Sequence, residues 1–214
     1  PEIPHLSELY RCLTMSYYER TDPLNWGKTQ VLYFAIGFAF EQVFLRNGEP
    51  PGTRVLDGVY MTPDYIALGG QGVDLKSTRM GISDQGIPSI RKEESWPASW
   101  LRQFKSYCRQ MHDETWDLYD PEYYEYGVAI IGLGRPVYLT AGRFRFTREE
   151  LEENWQWILQ RKALFINSMK TGEVPSAFQY NDGESPSSWE CSNSSGDCKY
   201  LARCQMSGWE QSLQ

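Results

Sequence analysis

Nine residues separate Asp64 from Asp74, and Lys76 follows two positions on, within the stretch TPDYIALGGQGVDLK that spans residues 62–76. Val59–Thr62 and Val73–Lys76 are strand-like runs. Tyr65–Leu68 continues the extended pattern, and Gly69–Gly72 supplies a turn. A hairpin of this kind brings Asp64 beside Asp74. Residues two apart in a strand share a face, so Asp74 and Lys76 point the same way. Two neighbouring carboxylates repel unless a cation lies between them, and hard oxygen ligands suit Mg2+ or Mn2+. A lysine beside such an ion orients a water and steadies negative charge developing on a phosphate. The same spacing also describes an ordinary solvated surface hairpin, so the surrounding elements decide between the two.

The residues from Thr29 to Arg46 predict a helix that is apolar nearly all round and therefore buried. A buried carboxylate costs several kcal/mol unless paired or coordinated, which makes Glu41 a candidate third ligand. An exposed ion pair is the alternative. Gly37, one turn earlier, offers room for another element to approach. Trp100–His112 reads as an amphipathic helix with Trp100, Leu101, Phe104, Tyr107, Cys108 and Met111 on its packing side. Gln103 and Tyr107 are four apart and share a face. They serve either routine packing or contact with a phosphate or base. The polar stretch Arg79–Pro97, with Arg79, Arg91 and Lys92, is expected as a loop or short helix over the site.

Elsewhere, His5–Arg20 predicts a helix with Ser7 as N-cap. Tyr126–Leu133 reads as a buried strand, apolar on both faces, and Val137–Phe146 as its neighbour. Arg143 and Arg145 alternate with Phe144 and Phe146 and make one face of that strand basic. Thr147 and Glu150 form a capping box, opening a helix to about Lys170 whose packed stripe holds Leu151, Trp155, Ile158, Leu159, Lys162 and Phe165. Residues 181–197 read as a loop.

At 214 residues and 41% apolar composition, the chain is long enough for one domain with a substantial core. A net charge of −7 does not advertise nucleic-acid binding. Bound divalent metals and a local basic strip can offset that average. No apolar run approaches the roughly 20 residues that span a bilayer, and there is no secretory signal pattern, so no membrane association and a cytoplasmic location are expected.

Five cysteines, unevenly placed, are too few for a disulfide scaffold at this size. Six residues lie between Cys191 and Cys198, and five between Cys198 and Cys204. Three nearby thiols need a fourth ligand to close a tetrahedral metal site or an iron–sulfur cluster. Cys108 is better explained as core, which leaves Cys12. Structural zinc, an iron–sulfur cluster, a disulfide with spare thiols, or no site at all are each compatible with this spacing.

The motifs occur in the order SELYRC, GFAFE, TPD, DLK, QFKSY, then WEC, CKY and Cys204. This order resembles the RecB-type branch of the PD-(D/E)xK nuclease superfamily. It is most similar to the iron–sulfur members, among them AddB nuclease domains and CRISPR-associated RecB-like exonucleases. The resemblance runs from Ser7 to Cys204. It implies an α/β fold: a restriction-endonuclease-like core with a central mixed sheet flanked by helices. It also implies an iron–sulfur staple joining the N- and C-terminal segments. It further implies a single domain over 1–214, with 29–170 as nuclease core and 1–28 plus 171–214 as cluster-binding subregion. Glu41, Asp64 and Asp74, with the Leu75 carbonyl, would be metal ligands, and Lys76 the catalytic lysine. Gln103 and Tyr107 match the QxxxY motif. Cys12, Cys191, Cys198 and Cys204 match the ligands of a 4Fe-4S cluster. CRISPR-associated relatives usually have two residues between the second and third cluster cysteines, and a proline where Leu13 stands.

The implied activity is Mg2+- or Mn2+-dependent hydrolysis of DNA from ends or single strands, 5′ to 3′, in a prokaryotic or phage-infected cell. The implied partners belong to a recombination or CRISPR-adaptation complex. Arg79, Arg91, Lys92, Arg143 and Arg145 would guide the strand. The competing readings are a catalytically silent DNA-binding adaptor and a zinc-stapled structural protein.

Overall fold

In chain order the elements are α1 (Leu6–Leu9), α2 (Leu13–Thr21), α3 (Lys28–Leu45), β1 (Arg54–Leu56), β2 (Val59–Met61), β3 (Tyr65–Ile66), β4 (Gly72–Thr78), α4 (Ala98–Met111), a 3-10 turn (Asp113–Thr115), β5 (Tyr124–Gly132), β6 (Tyr138–Phe146), α5 (Arg148–Thr171), β7 (Ser192–Asn193), β8 (Gly196–Asp197) and α6 (Leu201–Met206). They come from a computed structural model that describes residues 3–45, 52–66, 72–78, 98–133, 137–175, 192–193 and 196–206. The chain forms two compact units. One is Pro1–Gly27, Asp57–Val59 and Trp157–Gln214; the other is Lys28–Leu56 and Tyr60–Gln156.

The second unit is built on a four-stranded mixed sheet in the order β3-β4-β5-β6. β3 and β4 are antiparallel, with Tyr65 opposite Val73 and Ile66 opposite Gly72. β4 and β5 are parallel, with Asp74 opposite Val128 and Lys76 opposite Ile130. β5 and β6 are antiparallel over nine pairs. β5 is central and nearly all buried, as its unbroken apolar run predicts. It begins at Tyr124, two residues before the expected start.

Strand alternation sorts the two faces. Val73, Leu75, Ala129 and Ile131 pack with Phe40 of α3. Gly72, Asp74, Lys76, Tyr126 and Val128 point the other way, toward α4. There the Phe104 ring lies 5.9 Å from that of Tyr126 and 5.3 Å from that of Phe144. The start of α5 packs on α4, where Asn154 donates to the Ser106 hydroxyl at 3.0 Å. The expected capping box is present: the Thr147 N–H donates to Glu150 at 2.8 Å, and the Glu150 N–H to the Thr147 hydroxyl at 3.2 Å.

α3 forms where periodicity places it, but it is not buried. Val31 is 53% exposed, Phe38 63% and Val43 68%, while Phe40 is buried. One stripe of the helix meets β4, and among its described side chains Val31, Leu32, Phe34, Phe38 and Val43 face outward. The described sheet is covered by this helix only along Phe40 and its neighbours. Gly37 lies against β4, where an added Cβ would stand 3.7 Å from the Ser77 hydroxyl, an ordinary contact that does not demand glycine.

The strand from Val59 to Met61 pairs with β1, not with β4. The turn between them is Asp57-Gly58, both at positive φ (46° and 67°). An Asp-Gly pair tolerates that conformation and suits the twist of a two-residue hairpin. Residues 192–193 and 196–197, expected within a loop, form the short β7–β8 ladder.

In the first unit, the expected single helix over His5–Arg20 is two helices broken at Tyr10–Cys12. His5, not Ser7, caps the first, in a capping box with Glu8. The break releases carbonyls, and the buried Arg161 guanidinium donates to those of Leu9 and Arg11. No local sequence signal at residues 10–12 announces a donor 150 positions away. The core gathers Leu6, Leu9, Leu13, Ile158, Phe165 and Tyr200, all buried. Chain ends meet here: Tyr18 and Tyr200 stack at 5.5 Å, and Lys199 lies 3.5 Å from Glu19.

Candidate active site

Four elements of the second unit deliver the polar residues. Asp64 immediately precedes β3, one step beyond the Tyr65–Val73 pair, so the hairpin sets it next to Asp74. Its carboxylate accepts the Leu75 N–H at 2.9 Å. Asp74 is completely buried, and Lys76 stands on the same face with its ammonium 2.5 Å from an Asp74 oxygen. The geometry that the spacing predicts for these three is present.

α4 closes the other side. Lys76 donates to Gln103 Oε1 at 2.9 Å, Gln103 Nε2 to the Tyr107 hydroxyl at 3.3 Å, and that hydroxyl to the Thr62 carbonyl at 3.1 Å. The chain runs one way only. An ammonium cannot accept, so the amide must turn its oxygen to Lys76 and its nitrogen to Tyr107. The Lys76 ammonium also lies 5.8 Å from the Phe104 ring and 5.9 Å from that of Trp100. These aromatic walls, Thr62 and Tyr126 are parts of the site that sequence reasoning missed. Trp100 and Phe104 at helical spacing carried the only signal, and they read as plain packing.

The electrostatics are those of crowded acids under burial. Burial pushes Asp74 up to about 7; Lys76 opposes this and Asp64 adds to it. Asp64 is raised by burial against Lys76 and the Leu75 N–H. Glu41 is raised by burial and by the charge of Asp64. The Lys76 ammonium, 2.5 Å from an Asp74 oxygen, is both its hydrogen-bond and its charge partner and opposes the rise. The charge of one ammonium thus acts on three mutually repelling carboxylates, and of these Asp74 has both oxygens buried. That donor set suits a hard divalent cation. Among the described residues, no three His, Cys, Asp or Glu side chains stand as a ready-made group able to hold a metal ion. Glu41 rises from α3, which covers the opposite face of the sheet from Asp74.

The remaining candidates are distributed as follows. Arg143 and Arg145 share the face of β6 that continues Val73 and Leu75 across the sheet, away from Asp74 and Lys76. Both are paired to Glu125, at 3.2 and 3.0 Å, so the expected basic strip is partly neutralised and does not join the site. Arg79, Arg91, Lys92 and Cys191 lie outside the described residues. Cys108 is core, as expected, and burial pushes its thiol up to about 12. Cys12 is the residue before α2, Cys198 lies just before α6 and Cys204 within it. All three belong to the first unit, and Cys204 is close enough to Tyr18 of α2 for its charge to raise that phenol, after burial.

No protein-family model matches the chain, and no curated protein matches it. A crystal structure of a protein from Eubacterium rectale, provisionally described as an exonuclease, is similar at 16% identity over 77% of this chain and 69% of that one, with a TM-score of 0.35. A likeness that distant carries no argument about this chain.

Proposed function

We propose that this protein is a metal-dependent deoxyribonuclease that hydrolyses phosphodiester bonds from ends or in single strands, 5′ to 3′. The observation that supports it is the buried Asp74–Lys76 pair, flanked by Asp64 and tied through Gln103 and Tyr107 to the backbone of Thr62. Burying an acid and an amine together is costly unless the arrangement serves chemistry or a tight structural network.

Asp64 and Asp74 would hold Mg2+ or Mn2+, with Glu41 and the Leu75 carbonyl completing the set. The ion, when bound, supplies a water of lowered pKa and neutralises charge on the scissile phosphate. Lys76 remains an ammonium beside the phosphate and steadies the negative charge that develops there. Gln103 accepts from Lys76 and so fixes its direction, and Tyr107 fixes Gln103. Trp100 and Phe104 wall the ammonium from water and strengthen its field. Arg79, Arg91 and Lys92 would guide the strand.

Cys12, Cys191, Cys198 and Cys204 would hold a 4Fe-4S cluster stapling the chain ends. Three of the four belong to one compact unit, in segments that already pack through Tyr18 and Tyr200. Among the described residues, no helix is long and apolar enough to cross a membrane. A cytoplasmic enzyme working within a recombination or CRISPR-adaptation complex is the setting in which such a nuclease would act.

The test is an anaerobic preparation incubated with end-labelled single- and double-stranded DNA, with and without Mn2+. Metal-dependent shortening that Lys76→Ala abolishes supports the reading. Metal-independent loss, or full activity in the Lys76→Ala protein, refutes it. Intact DNA under every condition, with tight DNA binding, leaves the adaptor reading in its place.

A further inference from the structure

We propose that the loop between Asp113 and Tyr123 is a preformed docking surface for a basic segment of a partner protein, with Leu118 and Tyr119 as its apolar anchors. It is a second site on the molecule and does not depend on the reaction proposed above.

The loop follows α4 and is held from beneath. Trp116 is buried, and the guanidiniums of Arg109 and Arg148 lie 4.0 and 4.6 Å from the centre of its ring. Tyr124 packs on the same ring at 5.1 Å between centroids, and its hydroxyl donates to the Tyr119 carbonyl at 3.2 Å. Arg109 also pairs with Asp113 at 2.8 Å, and Arg148 with Asp117 and Asp120 at 3.5 and 3.6 Å. The Leu118 and Tyr119 N–H groups both donate to the Thr115 carbonyl at 3.0 Å. Backbone and anchors are thus fixed in the free protein, so a partner that docks here meets little ordering cost.

What this framework presents to water is not what a solvated turn requires. Leu118 is 84% exposed and Tyr119 64%, and Tyr123 is exposed as well. Apolar side chains left in water add nothing to the stability of the fold, and turns are built more readily from Gly, Asn, Asp and Ser. Single exposed apolar residues are ordinary, but an adjacent pair on a fixed loop, rimmed by charge, marks an interaction site.

Charge selects the partner. Between Asp113 and Glu122 the loop carries five acids, Asp113, Glu114, Asp117, Asp120 and Glu122, and no Lys or Arg. Five acids against the two arginines paired to them, Arg109 and Arg148, leave an excess of three negative charges. Asp117 and Asp120 bracket the apolar pair, and both are exposed. A field of that sign repels nucleic acid and draws Lys- or Arg-rich protein segments. The position agrees. Met111, the last residue of α4, is about 12 Å along the helix axis from Gln103 at about 1.5 Å per residue. A segment docked beyond that end leaves Lys76 and Gln103 open to substrate.

Leu118→Ser combined with Tyr119→Ser removes the anchors and keeps every charge. Both side chains are exposed, so the fold is retained, which thermal unfolding checks. A phage-displayed library of random short peptides is selected on the immobilised full chain and, in parallel, on the double variant. Peptides enriched on the wild type are synthesised and titrated against both proteins by calorimetry at low and at high salt. The expected result is enrichment of peptides that join Lys or Arg to an apolar or aromatic residue. Their affinity should fall at least about 10-fold in the double variant and weaken with salt. Enrichment that is absent, or equal on the two proteins, overturns the proposal, as does enrichment of peptides without basic residues. Glu114→Gln combined with Glu122→Gln removes two charges and no anchor; it should weaken binding and its salt dependence, and unchanged binding overturns the assignment of a basic partner. A wild-type dimer in sedimentation that the Leu118→Ser, Tyr119→Ser protein no longer forms makes a second copy of this chain the occupant and overturns that assignment too.

Discussion

Replacing Asp74 by asparagine tests the electrostatic argument without reference to DNA. Asp74 is completely buried, and its carboxyl is raised from 3.8 to about 7. In the unfolded chain it returns to the ordinary value. Between pH 4 and pH 7 the native state therefore binds more protons than the unfolded state, and stability falls as pH rises through that window. Below the window both states are protonated, and above it both are ionised, so the contribution is flat at either end. A shift of about three units corresponds to a loss on the order of 4 kcal/mol at about 1.4 kcal/mol per unit. Asparagine keeps the shape and cannot ionise. Its own cost, from imperfect amide hydrogen bonds and the loss of one partner of Lys76, is nearly constant with pH. Glu41 and Asp64 are also raised, but they contribute to both proteins and largely cancel in the difference. Urea denaturation of metal-free wild type and variant at half-unit intervals from pH 4 to 8 supplies the comparison. The wild type should lose stability relative to the variant as pH rises, and Mn2+ at pH 8 should restore it in the wild type alone, by about 2.7 kcal/mol at a hundredfold excess over the dissociation constant. Parallel stability curves for the two proteins would refute the claim that Asp74 is a buried, acid-raised carboxylate.

Three further outcomes follow from named contacts. Lys76→Ala should lower cleavage by at least about 100-fold, the scale of losing one charge-stabilising donor, while circular dichroism stays native; retained cleavage removes Lys76 from the chemistry. Arg161→Met should destabilise the protein by at least about 1–3 kcal/mol, because the buried Leu9 carbonyl loses its donor and the half-buried Arg11 carbonyl loses one as well. A urea midpoint within error of wild type would show that the α1–α2 break does not depend on it. Cys198→Ala should yield colourless, less stable protein from anaerobic expression, since cluster uptake and folding are linked; a brown, equally stable variant would exclude Cys198 as a ligand.

The alternation of residue types along Val73–Lys76 and the four-residue spacing of Gln103 and Tyr107 are local properties of the backbone. Periods of 2.0 and 3.6 decide which side chains share a face, so the Asp74–Lys76 pair and the Gln103–Tyr107 contact were legible in the chain alone. The same holds for the capping box at Thr147 and the central strand around Val128. The Asp57-Gly58 turn was equally legible from its residue types and was missed. Which surfaces meet is another matter, because that depends on contacts between residues far apart in the chain. Periodicity could not say that β2 joins β1, that Val31, Phe38 and Val43 of α3 stay exposed, or that Arg143 and Arg145 lie across the sheet from Lys76. Nor could it foresee that Arg161 would satisfy a helix break 150 residues earlier, or that Arg109 and Arg148 would both lie over the ring of Trp116. Local stereochemistry determined the faces of this protein; only long-range packing decided what each face touches.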